Sequence, residues 1–494
     1  MGASVTLKVM RSSKAAGVLF LFTLMPPAQA ATQWICLRSP NFELYTSAGE
    51  KTGRQALQVF EEVRSAFKDI LGIKIPNQQP TTIVIFRDTE EFAPYRPQGN
   101  IIAYYMSLSR RDFIILQDLL PEHYPMALHE YTHLVIHQAG MKLPLWLNEG
   151  FAEFYSTMKP MGNKILVGRV IPGRLEVAEQ GLMDLREILK ADKSSKAYNE
   201  ADRMGIFYAE SWALVHMLKF SKPYATRFET LLDAIGRGEP SDKALERVYG
   251  KPIEAIQADL QTYVRGSHFF EGVIHAKMER LDIQPEVEAR DPVDIAVLLA
   301  GIEARGPQHD DAVATLEKLA KDNPGKTSPL EALAWIYLTG PHPQFAIAPF
   351  QQAVAAGTRD AVLCFSYAVK LRASIPDYDY VAALRRVAEI DPQMSEAQEL
   401  LADHAFDNHD YAETVRRLHL VKKLERSQAF NYYRMLAHAA FETGDTVEAK
   451  SAAERAQQYA ATAEERRMAE ELVNSVAGGK SSPPSKAPEF PQGP

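Results

Sequence analysis

Pro125-Met126-Ala127-Leu128-His129-Glu130-Tyr131-Thr132-His133-Leu134-Val135-Ile136-His137-Gln138-Ala139-Gly140 opens with a proline and closes with a glycine, the residues that punctuate a helix at its two ends. On that helix His129 and His133 are four residues apart, about 6 Å along one face, so both imidazoles can reach one zinc ion. Glu130 projects beside them, toward the water that such an ion activates. His137 is in phase with both histidines but lies a further turn along, about 12 Å from His129, and three ligands strung along one axis cannot surround a tetrahedral ion. The third ligand has to come from another element. A motif of this kind standing alone also occurs in proteins without activity, so the neighbouring sequence decides.

That neighbour is Leu143-Pro144-Leu145-Trp146-Leu147-Asn148-Glu149-Gly150-Phe151-Ala152-Glu153-Phe154-Tyr155, an amphipathic segment with two carboxylates at i, i+4. One can ligate while the other orients: Glu149 is assigned as the third ligand, and Glu153 as the acceptor for the other ring nitrogen of a ligating histidine. Together the two stretches resemble the gluzincin metallopeptidases, specifically the peptidase MA-like group that joins HExxH to a downstream WLNEGFAE-type helix. The match is His129-Glu130-x-x-His133, fifteen residues, then Glu149 inside Trp146-Leu147-Asn148-Glu149-Gly150-Phe151-Ala152-Glu153. The resemblance implies that His129, His133 and Glu149 bind zinc and that Glu130 activates water. The interval is shorter than in the aminopeptidase branch, and no exopeptidase mode is carried over.

The flanks suit such a lobe. Residues 34–45, 81–86 and 112–116 alternate or run apolar with β-branched and aromatic side chains and read as strands, with a helix over about 51–71. The segment from Arg111 to Leu116 reads either as an edge strand that pairs with an extended substrate or as an internal core strand. Further helices are expected over 204–216 and 253–265. On the first of them Tyr208 is a candidate catalytic phenol, hydrogen-bonding the developing oxyanion, with simple packing as its alternative role. His123 and His216 are alternative donors.

The C-terminal half repeats every 34 or 35 residues. Ala312, Ala346, Tyr380, Thr414 and Ala449 occupy one position, and twelve residues before each stand Ala300, Ala334, Ala368, Ala402 and Ala437. Leu316, Phe350, Leu384 and Leu418 follow four residues after the first four references, giving each unit a large-small pair on one helix and an i, i+4, i+7 stripe on the next. This resembles the tetratricopeptide repeat over about 293–463. Asn323-Pro324, Asp391-Pro392 and Gly444-Asp445 fall at its turns and ends, while Pro341-His342-Pro343 and Tyr380 depart from it. Cys364 is expected on a buried helix face.

Composition narrows the setting. The 494 residues carry 55 Lys+Arg against 63 Asp+Glu, a net charge of −8 that argues against general nucleic-acid binding. Two cysteines, Cys36 and Cys364, cannot build a disulfide framework or a thiolate zinc site, so any metal must use histidine and carboxylate. Lys8, Arg11 and Lys14 precede an apolar run over 15–25 and then Ala28-Gln29-Ala30, the pattern of a secretory signal cut after Ala30. The run is too short to span a bilayer, Cys36 is too far from the cut for a lipoprotein, and the mature chain is expected in a periplasm or outside the cell, with no membrane span. The Pro- and Ser-rich end reads as disordered, and its Gly479-Lys480-Ser481 lacks the opening glycine and strand of a phosphate loop. The expected plan is a signal peptide (1–30), an α+β gluzincin-like metallopeptidase domain (31–285), an all-α tetratricopeptide-like solenoid (286–475) and a disordered tail (476–494). The expected function is zinc-dependent peptide hydrolysis, with the repeats recruiting a protein substrate or partner. The alternative is a non-catalytic interaction scaffold with a structural zinc lobe. Three identifiable ligands leave an open position and favour the first, since a structural zinc is closed by four.

Overall fold

The computed structural model describes residues 33–71, 80–97, 99, 101–108, 111–266, 269–275 and 284–479. The leader expected over 1–30 lies outside the described residues, as does the tail from 480 onward. The last described helix, Ala463–Ala477, runs just past the expected start of that tail.

The stretch 34–45 divides at Ser39-Pro40-Asn41 into two antiparallel strands, β1 (Ile35–Arg38) and β2 (Phe42–Thr46). The helix Glu50–Leu71 follows, then β3 (Thr81–Ile85), β4 (Ala103–Ser107) and β5 (Asp112–Leu116). Strands β6 (Lys159–Met161), β7 (Lys164–Val167) and β8 (Gly272–His275) form a separate small antiparallel sheet, while β9 (Glu286–Ala289) returns to pair with β1. The main sheet has the order β4-β5-β3-β2-β1-β9, with β2, β3 and β5 parallel and the others antiparallel. Of the two readings of 111–116, the internal strand is the observed one, and the edge belongs to β4, a strand that the sequence pattern does not announce.

Alternation along these strands serves two cores at once, which is why they read as nearly unbroken apolar runs. Ile83, Ile85, Ile114 and Leu116 face the large core shared with Leu57, Phe60 and Tyr131. Val84, Phe86, Phe113 and Ile115 face the opposite way and pack with Ile295 and Ile302 of the helix Pro292–Glu303.

From there the chain continues as five helix pairs. The first helices are Pro292–Glu303, Ser328–Thr339, Ala361–Leu371, Ser395–Asp407 and Ala429–Glu442. Their recurring alanines, from Ala300 to Ala437, are all buried, as are Ala312, Ala346, Tyr380, Thr414 and Ala449 in the second halves. The two departures are absorbed locally. Pro343 opens a 3-10 turn, Pro343–Ala346, that leads into the helix Ile347–Ala355, and the Tyr380 ring lies under the Arg372 guanidinium at 4.1 Å. The chain thus combines an N-terminal α/β region on a mixed sheet with a mostly helical C-terminal part. Among the described residues no helix is long and apolar enough to cross a membrane.

The helix Pro292–Glu303 belongs to both parts, because its other side packs through Ala300 and Ala304 against Ala312, Leu316 and Leu333. Ile302→Ala should therefore cost about 2–4 kcal/mol in denaturant unfolding and raise proteolytic cleavage between the two parts. An unchanged midpoint and cleavage pattern would show that this contact does not join them.

Candidate functional site

The helix Tyr124–Gln138 begins with Pro125 in its first turn, where a missing N–H leaves no bond unmade. Its end is fixed by Gly140 at φ +66°: Gly140 donates to the His137 carbonyl and Met141 to that of Ile136, the paired bonds of a left-handed cap. The chain reverses there and starts the helix Leu145–Ser156 after Pro144. This second helix lies close against the helix Ala201–Phe220, and Gly150 permits the approach. A Cβ at that position would meet the Ser211 carbonyl oxygen and the Val215 side chain, both at 2.6 Å.

Between the two helices three atoms that could ligate a metal converge. His129 Nε2 and His133 Nε2 are 3.1 Å apart, and Glu149 Oε2 lies 3.5 Å from the first and 3.4 Å from the second. Among the described residues this is the one cluster of at least three histidine, cysteine or carboxylate groups arranged to hold a metal ion. Ligands at 2.0–2.1 Å on a tetrahedral zinc are separated by about 3.3–3.4 Å, so the triangle fits that ion. Glu149 Oε2 is buried and accepts no hydrogen bond.

The surroundings turn the imidazole lone pairs inward. Asn148 Oδ1, which can only accept, lies 2.8 Å from His133 Nδ1, so Nδ1 carries the proton and Nε2 faces the cluster. Glu153 Oε1 lies 3.6 Å from His129 Nδ1, beyond a hydrogen bond, and accepts from Arg174 Nη2 at 2.7 Å. Burial works against charge on these groups. The contacts of His129 and His133 with Glu149 outweigh it, pushing Glu149 down to about 2 and His133 up to about 9, so that a metal ion bound here would displace the proton His133 carries on Nε2. Glu130 Oε2 accepts from the Tyr105 backbone N–H of β4 at 2.8 Å, and burial pushes its carboxyl up.

The other candidates fall in different places. Tyr208 lies beside the cluster, its ring 6.2 Å from that of His129 and under the Arg174 guanidinium at 5.1 Å, but its hydroxyl reaches only that of Tyr198, at 3.4 Å. Tyr198, on the one-turn helix Lys196–Asn199, is the phenol that contacts Glu149, at 3.4 Å. Sequence reasoning missed Tyr198 and Arg174, which stand in no motif. It also left Asn148 without a role, although the residue stands inside the quoted stretch. His137 is exposed and rests on the Tyr105 hydroxyl at 3.0 Å, outside the cluster. His123 precedes the first helix and contacts Asp118 at 2.6 Å. His216 is fully buried, donating from Nε2 to the Gly168 carbonyl at 2.8 Å and accepting at Nδ1 from Tyr263 at 2.7 Å, so both ring nitrogens are occupied in the core. Among known proteins, no family model matches the chain and no curated protein is similar to it.

Burial lowers His216 from 6.5 to about 4, against the small opposing effect of the Gly168 carbonyl. The neutral ring's contribution to stability is complete above about pH 6.5 and declines as the pH falls toward 4, because only the unfolded chain takes up the proton there. Between pH 7 and 4.5 the wild type should lose about 2–3 kcal/mol more than His216→Gln in denaturant unfolding. Equal losses would show that the ring ionises freely in the folded chain.

Proposed function

We propose that this chain is an exported zinc-dependent peptidase of the gluzincin kind, in which His129, His133 and Glu149 hold the ion. The observation that carries the reading is the convergence of two imidazole Nε2 atoms and a buried carboxylate oxygen at tetrahedral spacing, with Glu130 on the adjoining helix position. A zinc ion held there supplies Lewis acidity, polarising a scissile carbonyl and lowering the pKa of water toward neutrality.

The chain's own groups do the rest. Glu130, anchored by the Tyr105 N–H, takes the proton of the attacking water and returns it to the departing amine. The rim of β4, the edge beside the segment 111–116, offers main-chain groups to an extended peptide. Tyr198 or Tyr208 supplies a phenolic donor for the oxyanion, with Tyr198 nearer to the ligand set. Asn148, Glu153 and Arg174 keep the imidazoles oriented. The five helix pairs, with a buried small residue at nearly every recurring position, support the tetratricopeptide reading, and we assign them the recruitment of a protein substrate or partner.

Two measurements test the assignment. Glu149→Ala should lose zinc, measured by elemental analysis after dialysis, more readily than Glu153→Ala; metal content that follows Glu153 and ignores Glu149 would overturn the ligand set. Glu130→Gln should keep its zinc and its fold while peptide hydrolysis drops by a factor of about 10²–10⁴, on a substrate whose cleavage by wild type a chelator stops. Hydrolysis at the wild-type rate would sink the role of Glu130. A zinc-loaded wild type that cleaves no protein or peptide would hand the function to the scaffold alternative.

A further inference from the structure

The first helices of the third, fourth and fifth pairs enclose a groove of about 230 Å³. Its apolar wall is built by Phe365 and Val369 from Ala361–Leu371, Leu400 from Ser395–Asp407, and Tyr432 and Met435 from Ala429–Glu442, with Gln428 and Asn431 lining it beside them. Val369 is 46% exposed, a large apolar side chain left to solvent at the mouth. Tyr432 is held in place by donating its hydroxyl to the Leu418 carbonyl at 2.9 Å.

Three carboxylates, Glu396, Glu399 and Asp403, line the same groove from one face of the Ser395–Asp407 helix, at spacings of three and four residues. None of the three has a hydrogen-bond or ion-pair partner among the described residues. Arg434, which bonds Asn431 Oδ1 through Nε and Nη2, also acts on Asp403. Burial and the neighbouring Glu396 and Glu425 push Glu399 up to about 7, while burial and Asp407 push Asp403 up against the opposing charges of Arg434 and His404. The carboxylates do not converge as metal ligands, since the one such cluster among the described residues is that of His129, His133 and Glu149. Among the described residues no cation opposes the charge of Glu399, and one that reaches it through the groove has to arrive on something long, with an apolar stem that fits the apolar wall.

We propose that this groove binds a lysine- or arginine-bearing segment of a partner protein. The aliphatic stem lies along Phe365, Leu400 and Tyr432, and the cationic head lies against Glu399 and Asp403. Lysine and arginine carry a stem and a head of this kind, and the incoming charge relieves repulsion among carboxylates held on one helix face. This deepens the recruiting role proposed above and rests on it, but not on the zinc site.

The test uses the full chain and two labelled, end-blocked peptides, one carrying lysines flanked by leucines in a Gly/Ser background and the other with glutamates in place of the lysines. Binding is read by fluorescence anisotropy with and without chelator. The lysine peptide should bind at least tenfold more tightly than the glutamate peptide, equally well in both conditions. The pair Glu399→Gln with Asp403→Asn should remove that preference. Neutralising mutually repelling carboxylates does not threaten the fold, and Val369→Arg offers a second route by filling the mouth with the competing charge. Glu464→Gln with Glu470→Gln, on the exposed side of the last helix, should change nothing. Equal binding of the two peptides, no binding of the lysine peptide, a preference that survives both groove variants, or an equal loss in the last-helix variant would each overturn the proposal. Because binding is measured apart from hydrolysis, loss of cleavage with intact peptide discrimination counts only against the zinc reading.

Discussion

A buried carboxylate oxygen set between two imidazoles needs positive charge beside it, and the two helices that carry these groups are held around that need. Leaving such a group desolvated and unpaired costs several kcal/mol, so the arrangement persists only where the surrounding structure holds it. Here the hold is local and rigid. The glycine cap after Gln138 sets the turn between the two ligand-bearing helices, and the missing side chain at Gly150 lets the second of them press against the Ala201–Phe220 backbone.

The next layer balances charge without consuming the ligand atoms. Arg174 takes up the carboxylate of Glu153, so that this group steers His129 without adding an unpaired negative charge beside Glu149. Were the proposed divalent ion bound, two neutral imidazoles and one carboxylate would leave it one positive charge not neutralised by the protein, the condition under which an ion remains a strong electrophile. Arg174 also lies over the Tyr208 ring, which links the ion pair to the aromatic wall on the other side of the ligand set.

Legibility in the sequence followed the range of the interactions. Both ligand-bearing helices and the recurring alanines are written in local periodicity, and the structure has helices at those positions with the alanines buried. What stayed hidden depends on contacts between distant segments. Tyr198 approaches Glu149 across 49 positions and Arg174 approaches Glu153 across 21, with no spacing rule to reveal either. Strand β4 escaped because its Ala-Tyr-Tyr-Met-Ser stretch is mostly half-exposed and lacks clean alternation; only its pairing with β5 makes it a strand. The division of 34–45 into two strands turned on a single proline-containing corner, and β9 forms only where β1 is already present.

The helix Pro292–Glu303, pressed between the main sheet and the second helix pair, sets a direction for change in the protein's length. Its two faces match different neighbours, so an inserted or deleted pair at this end would leave either the sheet or the array with an uncovered apolar surface. The opposite end closes with Ala463–Ala477, which buries Ala469, Leu472 and Val476 against the fifth pair and turns charged residues outward. Such an end can be moved along by one unit at little cost, since each pair meets only its immediate neighbours. A change of one pair at the far end would thus alter the reach of the array while the packing around His129, His133 and Glu149 stays as it is.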